Sequence, residues 1–440
     1  MKMYQKLKKC KSIKEIYEVI PEKFYEKCAV VLIFLMNMVV VVESLTKLIT
    51  HRNSFETMVR NYYVVGTLSV IYAVIYIISR LYKFTFGEIK EYFKNNIWEV
   101  FFLILFLFAI LSIAAAGDKQ KAFQGHWFRQ NGIRSYCIYL SLYISGKTLC
   151  SSKNRKIILW TIAITSTIQD IIILIKYLGY YGSYSGGFYN SNHSGYYITM
   201  AIFALAGLIV FEKKYIFKII AAMLYAFNIM CLVINNTFGC YVAVMFGIVF
   251  MFVLTVVKCA GVSSGCVMMI IIFLIMSIVI DRETGNISRN FNIAGKDIEN
   301  ISKRNEEAKN AATGRMELWM SALDVINHKP IMGCGAENIE NEAECIGVPH
   351  NEFLQIAAEY GVIACLSYIV GLITLMIHKI KNLKNESEYT IICGAIVFAY
   401  LISSMFGVMM FYTAVFYYTF LGMVSRNINL TQHYDIGKNT

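Results

Sequence analysis

The chain has 440 residues, of which 57% are hydrophobic and only 16% are charged, and its mean hydropathy is +0.53. These values lie outside the usual range of soluble globular proteins and indicate a membrane protein. The net charge of +12 would suggest nucleic acid binding in a soluble protein. Here Lys and Arg concentrate in alternate loops, so we expect no nucleic acid partner.

The fold class follows from the hydrophobic windows. Windows of about 17 to 25 residues, the length that crosses the hydrocarbon of a bilayer, can be placed about twelve times along the chain. Continuous apolar runs such as residues 97–116 are typical of spanning helices rather than of alternating strands. We therefore predict an all-α fold, a polytopic membrane helical bundle of about 12 transmembrane helices with one large extracytoplasmic loop subdomain.

The windows divide the chain into five segments. Residues 1–27 are predicted to form a cytoplasmic N-terminal segment, and residues 28–280 a membrane bundle of about nine spans. Residues 281–352 form the large extracytoplasmic loop with short helices, residues 353–425 the last three spans, and residues 426–440 a cytoplasmic tail. Because the basic loops alternate, the positive-inside rule places both termini in the cytoplasm of a multi-pass protein of the cell membrane.

The large loop has a regular helical pattern in its second half. Thr313 is a plausible N-cap for an amphipathic helix, and residues 289–310 are expected to form a charged helix. The apolar side chains at helical spacing are Met316, Trp319, Leu323 and Ile326. The same loop holds Cys334 and Cys345, and their spacing is weak evidence for a disulfide.

Polar residues follow this loop at the threshold of a predicted span, in the stretch GVPHNEFLQIAAEYG of residues 347–361. Asn351 is predicted to cap a helix, which leaves His350 at the positive, anion-attracting end of the helix dipole. Asn351, Gln355 and Glu359 are spaced four apart and share one helix face. Two interpretations are open: this face lines a cavity, or it caps the helix and bonds to neighbouring spans.

Arg315 is the candidate for binding an anion. Its planar guanidinium suits phosphate oxygens and stays charged at any working pH. The alternative, taken alone, is a solvated or salt-bridged surface arginine.

The residues around Arg315 and His350 form the pattern T-G-R-x-x-x-W, H-x-P-x-x-G-x-G, P-H-N-E-F-L-Q and E-x-G. This pattern resembles the signature of the O-antigen ligase and polysaccharide polymerase family, which includes the Wzy-type polymerases. The matching residues are Gly314, Arg315, Trp319, His328, Pro330, Gly333, Gly335, His350, Asn351, Leu354, Gln355, Glu359 and Gly361.

Two earlier stretches resemble further family elements. FQGHWFRQNGI, residues 123–133, offers Trp127 and Arg129, and GGFYNSNHSGYY, residues 186–197, offers Asn190, Asn192 and His193. A structural hydrogen bond is the alternative role for His193.

One departure from the family pattern concerns a middle span. Where many members carry Ser-Arg-Gly, the present chain has Asn-Asn-Thr-Phe-Gly at residues 235–239. Either Arg129 or another loop cation takes over the contact of that arginine with the lipid diphosphate, or the donor is held differently.

The resemblance implies a glycosyltransferase that uses an undecaprenyl-diphosphate-linked oligosaccharide and needs neither cofactor nor metal. It assigns His350 as general base and Arg315 as the group that neutralises the diphosphate, as the catalytic pair. Its partners would be the lipid-linked oligosaccharide, the growing polysaccharide and membrane lipid, with a chain-length regulator and a flippase as further candidates. The candidate substrate-binding residues are Asn351, Gln355, Glu359, Arg129, Trp127, Asn190, Asn192, His193 and Trp319.

Three activities remain open at this point. Polymerisation of repeat units for a capsule, exopolysaccharide or O-antigen is favoured, because a Lys-, Ile- and Tyr-rich chain with 3 prolines suggests an AT-rich genome without lipid A. The alternatives are ligase-type transfer to another acceptor and non-enzymatic transport of lipid-linked sugars. No inverted pair of broken helices, the pattern of many transporters, is visible in the sequence.

Overall fold

The structure, a computed structural model, describes residues 8, 10–50, 55–180, 184–303, 311–343 and 347–427. Every regular element in these ranges is a helix. The helices, in chain order, are Ile13–Val19, Glu22–Thr50, Phe55–Lys83, Phe86–Asn95, Ile97–Ala115, Lys119–Gln124, Ile133–Thr148, Ser152–Leu178, Ser191–Phe211, Tyr215–Asn235, Phe238–Cys259, Ser264–Thr284, Asn286–Lys303, Ala311–His328, Ile339–Glu342, Glu352–Tyr360, Val362–Lys381, Glu388–Ser404 and Phe411–Ser425.

Nine helices within the described ranges are long and apolar enough to cross a membrane. Three shorter apolar helices, Ile133–Thr148, Glu388–Ser404 and Phe411–Ser425, pack among them. The predicted polytopic helical membrane bundle is therefore confirmed. The total of about twelve spans and the division into five segments stay predictions.

The centre of the bundle is the Ser191–Phe211 helix, whose most apolar window is 94% buried. It packs against the Ser152–Leu178, Tyr215–Asn235 and Glu388–Ser404 helices. Gly207 allows one of these contacts, because a Cβ atom there would lie 2.4 Å from the Ile392 side chain. The first turn of this central helix, which carries His193, is therefore enclosed by the bundle.

Within its described residues the large loop has three helices, Asn286–Lys303, Ala311–His328 and Ile339–Glu342. Thr313 lies inside the second helix, so its prediction as the N-cap was wrong. The predicted apolar stripe is also displaced: Ala322 and Val325 are the buried residues, whereas Leu323 is 42% exposed. Small side chains pack where the helix approaches its neighbours most closely, and hydrophobicity alone does not reveal this. Cys345, of the predicted disulfide, lies outside the described residues.

The predicted span that begins at the polar stretch of residues 347–361 consists of two helices, not one. Glu352–Tyr360 ends at Gly361, and Val362–Lys381 begins directly after it. Gly361 has φ +91°, and a Cβ atom there would lie 2.0 Å from the Ile331 carbonyl oxygen. Only glycine fits both the backbone conformation and this close approach, so the break admits a segment of the large loop.

Candidate functional site

The turn at residues 330–338 docks onto the broken helix through main-chain hydrogen bonds. The Cys334 and Gly335 N–H groups donate to the Ala358 and Glu359 carbonyls, each at 2.9 Å. The Val362 N–H donates to the Pro330 carbonyl at 2.8 Å. These bonds satisfy carbonyl groups that the end of the Glu352–Tyr360 helix leaves open. The large loop and the polar helix therefore form one unit.

A buried ionic cluster holds a second segment against this turn. The Arg129 guanidinium donates to Glu337 at 2.5 Å and to both oxygens of Glu340 at 3.2 and 2.9 Å. Glu337 is fully buried, and its other oxygen accepts the Asn131 N–H at 3.0 Å. We call Arg129, Glu337 and Glu340 the Arg129 cluster. It ties the loop before the Ile133–Thr148 helix to the docked turn.

Burial and ion pairing have opposite effects on the ionisation of the side chains in the Arg129 cluster. Burial disfavours the charged forms, but Glu337 and Glu340 raise the pKa of Arg129 above its ordinary value. Burial likewise opposes ionisation of Glu340, but the hydrogen bond and charge of Arg129, together with nearby Lys121 and His126, outweigh it and lower the pKa of that carboxyl. Two carboxylates thus already compensate the Arg129 charge. These contacts favour a structural role, and substrate binding by Arg129 stays a prediction.

His350 is held between two anchors. The Trp319 indole N–H donates to the Pro349 carbonyl at 2.7 Å. On the other side, the Asn351 side chain accepts the Phe353 and Leu354 N–H groups at 3.0 and 3.1 Å, so the predicted N-cap is confirmed. His350 itself has φ +46°, an uncommon conformation for a residue other than glycine. Trp319 and Asn351 therefore position the histidine, and direct sugar contacts by either stay predictions.

The His350 imidazole is neutral at physiological pH. Burial, with the nearby positive charges of Arg315 and Arg129, lowers the pKa of His350 from 6.5 to about 4. Its Nδ1 atom is buried and finds no hydrogen-bond partner among the described residues. A neutral imidazole with an open nitrogen can accept a proton.

Arg315 lies in the same cluster of groups, half-buried on the Ala311–His328 helix. Burial lowers the pKa of Arg315, and its closest electrostatic partners besides His350 are Tyr196 and Cys240. Within the described ranges no carboxylate pairs with it. Cys240 directly follows residues 235–239, the stretch that lacks the arginine expected from the resemblance. Arg315 therefore interacts electrostatically with the residue that follows the stretch without the expected arginine.

His193 faces this region from the central helix. It is fully buried, and its Nδ1 lies 2.7 Å from the Thr413 hydroxyl oxygen, while Nε2 has no partner among the described residues. Its ring contacts Tyr196 and Tyr412 edge-on, and it interacts electrostatically with His350. The contacts agree with the structural alternative for this histidine, and the role in substrate binding stays a prediction.

Residues 221–369 of the chain match the family model described as O-antigen ligase, and over this segment the chain resembles that family. No curated protein and no solved structure matches the chain. The matched segment includes Arg315 and His350, whereas Arg129 and His193 precede it.

The polar helix face after His350, which lies within the matched segment, is turned into the protein. Gln355 and Glu359 are buried, and the Gln355 amide donates to Glu359 at 3.0 Å. One oxygen of each has no partner among the described residues. A buried, half-satisfied pair is costly. Two side-chain oxygens, one of Gln355 and one of Glu359, are therefore left without a described partner on the helix that follows His350.

The remaining predicted substrate-binding residues are partly or largely exposed and lie at the rim of the candidate site. Asn190 caps the central helix by accepting the Asn192 N–H at 2.8 Å, while the Asn192 side chain is half-exposed. Trp127 is 70% exposed, with its ring against Phe55 and Phe128. Exposed aromatic and amide groups are suited to sugars.

Sequence reasoning missed Glu352 as a site residue. Its side chain is fully buried, one oxygen accepts the Tyr400 hydroxyl at 2.8 Å, and the other has no partner among the described residues. In the sequence, an acidic residue just after an N-cap is explained by the helix dipole alone. Its burial depends on Tyr400, 48 residues away, which no local pattern reveals.

Proposed function

We propose that the protein is a membrane glycosyltransferase that polymerises undecaprenyl-diphosphate-linked oligosaccharide repeat units at the outer face of the cytoplasmic membrane. The observation that carries this proposal is the proximity of a neutral, open histidine to a cation without a carboxylate partner among the described residues. The match of residues 221–369 to the O-antigen ligase family model supports lipid-linked oligosaccharide and polysaccharide as substrates.

The proposed reaction begins with a donor that is already activated. Its anomeric carbon is bonded to an oxygen of the lipid diphosphate, and that bond breaks as the acceptor hydroxyl oxygen bonds to the same carbon. Arg315 neutralises the negative charge that develops on the departing diphosphate. His350 accepts the acceptor's hydroxyl proton through an open ring nitrogen.

The low pKa of His350 fits this sequence of events. Burial and the charges of Arg315 and Arg129 keep the imidazole neutral. A bound diphosphate brings negative charge that offsets those arginines and raises the basicity of His350. The histidine therefore becomes a stronger base when the donor is in place.

Sugar recognition would fall to groups around this pair. Trp127, Asn192 and Asn190 lie at the rim, and Gln355 and Glu359 lie beneath His350. In the proposed orientation both termini are cytoplasmic and the large loop is outside the cell membrane. A flippase would supply the lipid-linked units, and a chain-length regulator would set the length of the product.

Ligase-type transfer to a different acceptor is the second candidate, and the description of the matching family model favours it. The two activities differ in product. A polymerase extends one chain repeat by repeat, whereas a ligase moves a finished chain onto another molecule.

The test measures the size of cell-surface polysaccharide by electrophoresis at matched membrane levels of each variant. His350→Asn is preferred to alanine because asparagine tolerates the positive φ of this position, so only the chemistry is removed. Loss of a general base lowers the rate about 100- to 10,000-fold. We expect single lipid-linked repeats to replace long chains, both in this variant and in Arg315→Ala.

Matched controls come from a histidine and an arginine outside the proposed site. His378→Asn changes a histidine whose ring contacts that of Trp98, and Arg60→Ala changes an exposed arginine. Both should keep the wild-type ladder. Long chains in the His350 and Arg315 variants would refute the catalytic assignment. Repeats that accumulate only on the cytoplasmic face would indicate transport, and long chains lost only from a separate acceptor would indicate a ligase.

A further inference from the structure

The Asn286–Lys303 helix carries an apolar stripe whose second half the described parts of the protein leave exposed. Its apolar residues follow helical spacing of four and three, which places them on one face. Phe291, Ile298 and Ile301 on this face are 45%, 69% and 43% exposed. The opposite face is charged and polar. The stripe consists of Ile287, Phe291, Ala294, Ile298 and Ile301.

The depth of this helix is set by the span before it. The Ser264–Thr284 helix has 21 residues, about 31 Å of helix at 1.5 Å per residue, which matches the hydrocarbon thickness of a bilayer. Only Gly285, with φ +63°, separates the two helices. The second helix therefore begins at the boundary between hydrocarbon and headgroups.

Polar contacts fix the rotation of the helix about its axis. Asp281, in the last turn of the span, accepts the Ile287 N–H at 2.7 Å. Asn286 donates to the Val233 carbonyl at 2.9 Å, and Asn290 donates to the Asn236 amide oxygen at 2.8 Å. These contacts, together with the Phe291 ring, which lies 5.0 Å from that of Phe238, hold the first half of the helix against the bundle, whereas Ile298 and Ile301 in its second half are exposed.

The span that precedes the helix also has exposed apolar residues. On the preceding span, Leu274, Ile275 and Ile278 are 51%, 53% and 55% exposed. An exposed apolar surface on a membrane span is covered by acyl chains. We propose that the Asn286–Lys303 helix is an interfacial helix whose apolar stripe inserts into the leaflet on the site's side of the membrane, with bilayer lipid as its partner.

This contact would hold the large loop at headgroup depth. The interfacial helix packs against the Ala311–His328 helix, which carries Arg315. The phosphate groups of any lipid-anchored substrate lie at the same depth. Lipid contact along the stripe therefore keeps the arginine level with them.

The test uses an encoded fluorescent residue, because the chain has 12 cysteines that would complicate thiol labelling. Full-length Ile298→dansylalanine and Lys296→dansylalanine are reconstituted in vesicles of phosphatidylcholine and phosphatidylglycerol. Lysine 296 lies on the opposite face of the same helix and is exposed, so it is the matched control. Acyl chains brominated near the headgroup should quench the probe at 298 several-fold more than the probe at 296.

Two outcomes would overturn the proposal. Equal, weak quenching at both positions would place the stripe in water. Blue-shifted but unquenched emission at 298 would mean that protein covers it, whether another segment or a second copy. Neither result depends on catalysis, so failure here leaves the proposed function untouched.

Discussion

Two arginines lie near the same histidine and have opposite surroundings. Arg129 has a side chain that is 10% exposed and donates three hydrogen bonds to two carboxylates. Arg315 is half-buried and has no carboxylate partner among the described residues. Both arginines carry the positive charge that binds a phosphate, but only the charge of Arg315 is not compensated by a described carboxylate. The partners of a residue, rather than its type, separate the framework of this site from its chemistry.

The largest expected effect tests the Arg129 half of this comparison. Arg129→Ala leaves Glu337 buried without its partner, which should destabilise the fold by about 3–5 kcal/mol. Thermal unfolding in detergent measures this loss. Arg129→Lys should recover only part of it, because an ammonium cannot reproduce the planar fork.

Arg315→Ala is the matched contrast. It removes a partly desolvated charge without a described carboxylate partner, so stability should change by no more than about 0.5 kcal/mol while chain growth is lost. If the two variants lose equal stability, or if Arg129→Ala stays fully folded and loses only activity, the division into framework and chemistry is wrong.

A smaller effect sharpens the role of Asn351. Asn351→Ala removes the N-cap of the Glu352–Tyr360 helix and should cost about 1 kcal/mol, whereas Asn351→Ser keeps a capping oxygen. Stability and chain length are measured for both. Wild-type chains in the serine variant would support positioning of His350. Short chains in both variants would instead favour the predicted contact with sugar.

The smallest expected effect concerns the pH dependence of activity, which should be nearly flat. The neutral, proton-accepting form of His350 persists down to its pKa of about 4. The kcat/KM of repeat transfer, which reports the free enzyme, should therefore stay nearly constant from pH 7 to 5.5. A histidine with a pKa of 6.5 would lose roughly tenfold over that interval. A tenfold fall would show that His350 is more solvated than its burial indicates.

The sequence allowed the helical bundle and the N-cap beside His350 to be predicted. Long apolar windows predicted the bundle, since length and composition suffice for spanning helices. The Asn351 cap was also predicted, because capping depends on a few adjacent residues. The break at Gly361 was not, since it depends on the Ile331 carbonyl 30 residues earlier. The Arg129 cluster joins groups more than 200 residues apart, and no local signal announces such a pair.

The family resemblance carried a different kind of information. It assigned Arg315 and His350 as the catalytic pair and Trp319 as a candidate for substrate binding. The structure assigns Trp319 a hydrogen bond to the Pro349 carbonyl, a positioning contact, while leaving the other two with open polar groups. A motif thus marks residues that a site needs, and contacts are required to say what each one does.

The docking of residues 330–338 onto the broken helix has a consequence for how this chain tolerates changes in length. Every residue between Pro330 and Val362 belongs to a segment whose two ends are joined by main-chain hydrogen bonds. An inserted or deleted residue within residues 330–335 would shift the register of those bonds and displace His350. Residues inserted before Ala311 would meet no such constraint. Among related chains, the part of the loop before Arg315 should therefore vary in length, while the part after His328 should keep a nearly constant spacing.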